Sequence, residues 1–329
     1  MKVLITGGAG YIGSTVASAC EDAGHDVVIL DDFSTGRREF IGERPLYEGD
    51  IADDSLLDRL FGEQQIDAVV HCAAKIIVPE SVSEPLAYYK NNVAKTVTLL
   101  AALQRNGVER FLFSSSASIY APDENFVVTE DSPLQPGSPY ARTKFMVELI
   151  LEDFTRASDV RVASLRYFNP IGTDPKLRSG QQLEKPSHVL AKLLETWVNK
   201  ETFTVTGVDW PTRDGSGIRD FIHVWDLARA HVAALEHFDE ATATNPYQVF
   251  NIGTGNGVTV KELAASFEKI TGDPLKVRFG DPRPGDVAGV YTVSTKAKDV
   301  LGWEAELTET DAVRDAIAWL PVRKEKLGY

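Results

Sequence analysis

Short runs of β-branched and aliphatic residues recur along the first half of the chain. Between them, apolar residues return every three or four positions. Val3–Thr6 is the first run and predicts a strand. Tyr11–Ala23 follows with helical spacing, and Gly24 suits its C-terminal cap. Val27–Leu30 predicts a second strand, which ends in Asp31 and Asp32. Ser55–Phe61 reads as helix and Ala68–His71 as strand; a long helix runs from about Pro85 to Arg105 and stops at Asn106-Gly107. Arg110–Ser114, Tyr140–Thr155 and Arg161–Leu165 then give strand, helix and strand. Such alternation predicts βαβ units, hence an α/β fold with a Rossmann-type, doubly wound parallel sheet.

The texture changes after Asn169-Pro170, where loops lengthen and Gly, Asp, Pro and Thr accumulate. A length of 329 residues suits about two domains. We expect a regular Rossmann-type domain over 1–169 and a smaller, mixed α/β domain over 170–329. The second is expected to be discontinuous, because a helix over Trp225–Phe238 and a strand over Val249–Ile252 both suit the large sheet.

Hydrophobic residues at 43% and charged residues at 25% are ordinary for a globular chain. The net charge of −14 disfavours nucleic acid and anionic membranes as partners. No apolar run approaches the roughly 18 residues of a membrane helix, and no secretory leader is expected. Cys20 and Cys72 are the only cysteines, too few for a disulfide framework and without zinc-ligand spacing. No metal is expected, and the simplest setting is a reducing cytoplasm.

Chemistry enters with Thr6-Gly7-Gly8-Ala9-Gly10-Tyr11-Ile12-Gly13, between the first strand and the first helix. Gly8, Gly10 and Gly13 satisfy Gly-x-Gly-x-x-Gly. A turn without Cβ atoms lets a pyrophosphate approach the backbone, and the helix N-terminus holds its charge. Asp31 lies about 20 residues on, where a carboxylate binds the adenosine ribose hydroxyls and repels a 2′-phosphate. NAD is therefore expected over NADP, with Arg37 and Arg38 as the opposing feature. Small residues after later strands, Asp50-Ile51 and Cys72-Ala73-Ala74, suit a chain passing close to the cofactor; ordinary loop packing accounts for them equally well. His71 reads as a core histidine.

Tyr140 and Lys144 are four apart on a predicted helix and share a face. Ser114-Ser115-Ser116 follows a strand at the end where open parallel sheets bind ligands. A phenol is a poor base at neutral pH. A nearby ammonium and a cationic nicotinamide favour the phenolate, and a serine can relay the proton. Tyr140, Lys144 and Ser116 thus form a candidate catalytic set for oxidising a carbinol.

These strings, with Glu80-Ser81, Asn91-Asn92-Val93, Tyr120, Ser138-Pro139, Arg166–Pro170, Arg219–Val224 and Arg283–Asp286, resemble the UDP-glucose 4-epimerases of the extended short-chain dehydrogenase/reductase family. The resemblance spans Val3 to about Trp319. It implies C4 epimerisation of a UDP-hexose through a 4-keto sugar, as in galactose metabolism, with NAD retained and a homodimer formed through the two long helices. It implies that Gly7, Gly10, Tyr11, Ile12, Gly13, Asp31, Asp32, Asp50, Ile51, Cys72, Ala73, Ala74, Lys75, Asn91, Ser114, Tyr140, Lys144 and Tyr167 hold the cofactor. It further implies that Ser116, Tyr140, Asn169, His188, Val189, Thr206, Arg219, Arg283, Asp286 and Val290 face the substrate. Without it, Arg219-Asp220 also reads as a surface ion pair and Arg283–Asp286 as a plain turn.

Several positions depart from the family pattern. Ile76 stands where many members have lysine or serine, with Lys75 one place early; Pro79 replaces a glycine. Thr206 stands where an aromatic covers the uracil, Ser187-His188-Val189 replaces Asn-Asn-Leu, and Val290 replaces a tyrosine found in some members. These bear on which sugar and base are bound. A 4,6-dehydratase would need a carboxylate beside the catalytic serine, and Ser116-Ala117-Ser118-Ile119-Tyr120 has none. The same fold also serves N-acetylhexosamine and uronate epimerases and dehydrogenases that release NADH. A non-catalytic NAD sensor would be expected to have a broken Ser/Tyr/Lys set, and here the set is intact.

Overall fold

The computed structural model describes residues 1–121, 123–184, 186, 188–282 and 287–329. Strands β1 (Lys2–Thr6), β2 (Asp26–Asp31), β3 (Leu46–Glu48), β4 (Ala68–His71), β5 (Arg110–Ser114), β6 (Val127–Val128), β7 (Arg161–Tyr167) and β8 (Asn169–Ile171) fall in the first half. They are followed by β9 (Thr202–Thr206), β10 (Ile218–His223), β11 (Tyr247–Ile252), β12 (Gly257–Thr259), β13 (Lys276–Gly280) and β14 (Tyr291–Thr292).

The main sheet has seven strands in the order β11-β7-β5-β4-β1-β2-β3, all parallel. Its apolar runs are buried on both faces, which is why they read as continuous rather than alternating. The order reverses between β1 and β4, leaving a crevice at the C-terminal strand ends. This is the doubly wound sheet that the alternation predicts.

The helices are α1 (Tyr11–Asp22), α2 (Asp54–Glu63), α3 (Val78–Ser83), α4 (Pro85–Tyr88), α5 (Lys95–Arg105) and α6 (Pro139–Ala157). Later come α7 (Val189–Val198), α8 (Val224–Glu236), α9 (Phe238–Ala241), α10 (Val260–Thr271), α11 (Thr295–Leu301) and α12 (Glu309–Leu327). One apolar core lies on the side of α1 and α8; a second joins α2, α5 and α6. The stretch expected as one helix over Pro85–Arg105 contains a π-helical segment at Tyr89–Ala94, between α4 and α5. Such segments interrupt helices chiefly at functional places. This one carries Asn92.

A third core gathers α7, α10, α12, β9 and β10 over the strand ends. The sheet β12-β10-β8 and the parallel pairs β13-β9 and β14-β6 belong to this region. Pairs as short as β6 with β14 leave no periodic signal in the sequence. Among the described residues no helix is long and apolar enough to cross a membrane, and no group of His, Cys, Asp and Glu is arranged to hold a metal ion.

Candidate active site

The glycine loop joins β1 to α1 at the crevice. Gly7 has φ +71°, and a Cβ there would lie 2.7 Å from the Ala73 nitrogen, so the loops after β1 and β4 touch. At Gly13 a Cβ would meet the Gly7 carbonyl at 2.2 Å, which fixes how tightly the helix packs on the loop. Gly10 caps α1 without a side-chain hydrogen bond, and no acid occupies the first turn. The leading amides are thus open to an anion. Tyr11 and Ile12 are the first two residues of α1.

Asp31 ends β2 and is buried; its two oxygens accept from the Ala9 and Phe33 amides, each at 2.8 Å. Burial raises its carboxyl above the usual range and the two amides oppose that. It is placed as an acceptor for hydroxyl donors. Asp32 accepts from the Ser34 amide at 2.9 Å. Arg38 pairs with Glu48 and lies over the Phe33 ring, while Arg37 donates to the Tyr329 hydroxyl. Both arginines therefore have other partners. Asp50 accepts from Lys95 at 2.5 Å, and Ile51 is buried beside it. This donor set fits NAD: backbone amides for the pyrophosphate and a buried acid for the ribose.

Cys72, Ala73, Ala74 and Lys75 lie between β4 and α3. The Lys75 ammonium is 3.0 Å from Glu80, so it pairs along its own segment. Asn91 donates to Asn92 at 3.1 Å. Asn92, which the sequence pattern does not single out, is the buried member of the pair. It accepts from the Lys75 amide at 2.8 Å and donates to the Lys75 carbonyl at 2.9 Å and to Thr143 at 3.1 Å. His71 sits in the core between Thr6 and Thr96, at 2.7 and 2.9 Å. Burial pulls its pKa down to about 3, so it is neutral there.

Helix α6 starts at a Ser138 cap with Pro139 in its first turn. Its buried face carries Tyr140, Lys144 and Glu148, one turn apart. The Tyr140 phenol is buried near Ser116; burial raises its pKa, and the serine opposes the rise. Ser116 donates to Ser118 at 2.9 Å. The Lys144 ammonium donates to the Ser114 carbonyl at 2.7 Å and lies 4.8 Å from the Phe113 ring centroid. Burial pulls it down to about 8, with Cys72 and Glu148 opposing. Lys144 is thus held at the strand end, one turn from Tyr140 on the same buried face.

Beneath this set lies a polar layer that the sequence does not announce. Ser114 Oγ sits 3.1 Å from His231 Nε2 and 3.2 Å from Cys72 Sγ. Tyr167 is buried nearby, and burial pushes its phenol upward, with Ser114 opposing. Ser115 donates to Glu148 at 2.5 Å, and Glu148 pairs with Arg166 at 2.6 Å. Arg166 in turn donates to Tyr120, and Tyr120 to Asn251. The available signal was Glu148 falling four residues after Lys144, a charge on the apolar face of a helix.

Asn169 opens β8, His188 caps α7, Val189 begins it, and Thr206 ends β9 opposite Gly280. The Arg219 guanidinium donates to the Ala288 carbonyl at 2.7 Å and to the Val287 carbonyl at 3.1 Å. Asp220 is fully buried and accepts from Thr254 and Thr292, so Arg219-Asp220 is not a surface ion pair. Val290 packs among Ala117, Tyr120 and Phe168, and Ala117 follows Ser116 in the chain. Tyr291 is directed elsewhere: a Cβ on Gly257 would lie 2.5 Å from its ring. Arg283, Asp286 and Ser187 lie outside the described residues.

A model of the NAD dependent epimerase/dehydratase family matches residues 3–253. The chain is 40% identical to the UDP-glucose 4-epimerase of Azospirillum brasilense, over 99% of this chain and 94% of that one. It is 41% identical to that of Bacillus subtilis (strain 168), over 97% and 96%. Among solved structures, the UDP-glucose 4-epimerase of Stenotrophomonas maltophila, with bound NAD and formylated UDP-arabinopyranose, superposes with a TM-score of 0.94. There the identity is 35% and the coverage 99% of both chains.

Proposed function

Since the chain belongs to the NAD dependent epimerase/dehydratase family, we propose that Ser116, Tyr140 and Lys144 carry its C4 epimerisation of a nucleotide-linked hexose, with UDP-glucose and UDP-galactose as the pair interconverted. The chain is an isomerase of the UDP-glucose 4-epimerase kind and uses NAD. The observation that carries the residue assignment is that α6 buries Tyr140 and Lys144 one turn apart, beside the Ser114–Ser116 strand end to which Lys144 is bonded.

When bound, NAD supplies the acceptor and donor of the C4 hydride. The glycine-loop amides and Asp31 would hold it. Epimerisation needs a proton removed from the 4-hydroxyl and returned after the sugar has turned over. One group must therefore serve as base and then as acid. The Tyr140 phenol fits, because Ser116 lies near it and can pass the proton between the phenol and the sugar oxygen. Lys144 keeps a cation beside the strand end through Ser114, and favours charge separation at that place. The low polarity around these groups strengthens each interaction. In this reading Asn169, His188, Val189, Thr206, Arg219 and Val290 line the substrate side, with Arg283 and Asp286. Arg219 anchors the residues that follow that last pair.

Residues 1–169, with 224–252 returning to the sheet, then form the NAD domain, and the remainder the nucleotide-sugar domain. A homodimer is part of the proposal. Leu86 on α4 is 81% exposed, and Val97 on α5 with Met146 and Leu149 on α6 are also exposed, an apolar set on neighbouring helices. Cys20 and Cys72 are unpaired, which suits a cytoplasmic setting. Incubating the purified enzyme with a panel of nucleotide sugars, with NMR of the C4 configuration, tests the reaction. Interconversion of UDP-glucose and UDP-galactose without free NADH is expected. No change at C4 in any sugar would overturn the reading. Light scattering of the same sample tests the dimer.

A further inference from the structure

Helices α8 and α6 cover opposite faces of the main sheet, one within the core beside α1 and the other within the core beside α2 and α5. From α6, Lys144 reaches the Ser114 carbonyl at the end of β5. From α8, His231 reaches the hydroxyl of the same residue, with Nε2 3.1 Å from Oγ. Ser114 is 1% exposed and His231 is fully buried. Neither the Ser114 hydroxyl nor the imidazole takes part in the proton transfer, yet the two faces of the sheet meet at this one residue.

The acceptors fix where the hydrogens lie. His231 Nδ1 is 2.9 Å from the Leu227 carbonyl, one turn back in α8. A carbonyl only accepts, so Nδ1 carries the hydrogen. Burial pulls the imidazole down to about 4, so the ring is neutral near pH 7 and Nε2 is bare. Nε2 must then accept, and the donor in reach is the Ser114 hydroxyl. A serine has one hydroxyl hydrogen, and this bond uses it. Across the 3.2 Å contact with Cys72, Ser114 Oγ is therefore the acceptor and the thiol the donor. An isolated serine–cysteine pair has both directions open. Here the Leu227 carbonyl selects one of them through the imidazole.

Ser114 thus turns its O–H dipole toward α8 and keeps oxygen lone pairs for the side of Lys144 and the cofactor loop. We propose that His231 is a positioning residue for the epimerisation, a role that rests on the assignment of Lys144 above: by taking the Ser114 hydrogen it keeps the end of β5 an acceptor for the Lys144 ammonium. Without Nε2 the hydroxyl is free to rotate, and its positive end can turn toward Cys72 and the ammonium. That arrangement favours the neutral amine and weakens the cation that the reaction uses. The other titratable groups about Lys144 are Cys72, His71 and Glu148, with Tyr140 and Tyr167 around Cys72. The substitutions below leave all of them in place.

NMR of the isotope-labelled imidazole nitrogens in the NAD-loaded enzyme reads the tautomer, with the His231 signals identified by their loss in His231→Gln. A neutral Nδ1–H ring at pH 7 is expected; an Nε2–H ring or an imidazolium overturns the proposal. In turnover of UDP-galactose, with NAD content matched to wild type, His231→Leu should lower kcat about tenfold at unchanged KM. It should also move the alkaline limb of the kcat profile down by about half a pH unit, because the ammonium is less favoured. His231→Gln offers a side-chain carbonyl to Ser114 and should recover to within about threefold of wild type. Ser114→Ala should match His231→Leu, and adding His231→Leu to it should cost nothing more. An unchanged kcat in folded His231→Leu, equal losses in the leucine and glutamine variants, or additive losses in the double variant would each overturn the proposal. If His231→Leu does not fold, the tautomer decides. Lys144→Met, run alongside, separates the two levels. Wild-type turnover there would sink the proposed function, whereas an inactive Lys144→Met beside unaffected His231 variants removes only the role of His231.

Discussion

Replacing Arg166 by methionine should destabilise the protein far more than a typical surface change, and the buried layer beneath Ser115 gives the size of the effect. The Arg166 and Glu148 side chains are only 6% and 4% exposed. Nε and NH2 of Arg166 donate to the Glu148 carboxylate at distances of 2.6–3.2 Å. NH1 donates to Tyr120 at 3.0 Å. Burial works against the guanidinium charge, yet the Glu148 hydrogen bonds more than offset it and raise its pKa. In Arg166→Met the carboxylate keeps Ser115 as a donor but loses its countercharge. Breaking such a pair costs about 3–5 kcal/mol. With about 2.1 cal/mol/K of unfolding entropy per residue, 329 residues give about 0.7 kcal/mol per degree, so Tm should fall by roughly 4–7 °C. Scanning calorimetry at fixed, saturating NAD measures it. The double variant Glu148→Leu/Arg166→Met removes both charges and should recover most of the loss. A drop below about 1 °C in the single variant, or a double variant as poor as the sum of its parts, would refute the reasoning.

Three further outcomes are expected. Tyr140→Phe should lower kcat by about 10²–10⁴ while extracted NAD content stays that of the wild type, and Ser116→Ala should fall in that range or somewhat less; a Tyr140→Phe rate within about tenfold of wild type would remove the assigned acid–base group. Lys144 is pulled down to about 8 in the folded protein against about 10.4 unfolded, so the unfolded chain binds more protons between those values and the lysine's penalty, about 3 kcal/mol below pH 8, disappears as pH rises toward 10. Urea denaturation of apoprotein should therefore show Lys144→Met more stable than wild type at pH 7 by a margin that closes by pH 10, and a margin constant with pH would refute it. Val290→Tyr should reduce kcat/KM for UDP-N-acetylglucosamine far more than for UDP-glucose, since a ring among Ala117, Tyr120 and Phe168 takes the volume an acetamido group needs; equal losses, or no N-acetylated turnover in wild type, would sink it.

Features set by local pattern are legible in the chain before it folds. Hydrophobic runs set the strands, and their alternation with helices set the sheet's parallel sense. Glycine spacing after β1 marked the loop where a Cβ would strike a carbonyl. The i, i+4 spacing of Tyr140 and Lys144 put both on one helical face, and helix α6 keeps them there. Each of these follows from residues within a few positions of one another.

Contacts between residues far apart in the chain are set by folding. Asn92 takes the bridging role that Asn91 does not, and nothing in an Asn-Asn pair says which of the two faces inward. Ser114 meets His231 across 117 positions, and Tyr120 meets Asn251 across 131. Asp220 reads as half of a surface ion pair until folding places Thr254 and Thr292 against it. The spacing that puts Lys144 beside Tyr140 does not say that its ammonium also reaches the Ser114 carbonyl, 30 positions away. Periodicity reports which face of an element is buried. What that face meets is settled when the sheet brings distant strand ends together, and buried polar groups must then find their hydrogen bonds among whatever arrives.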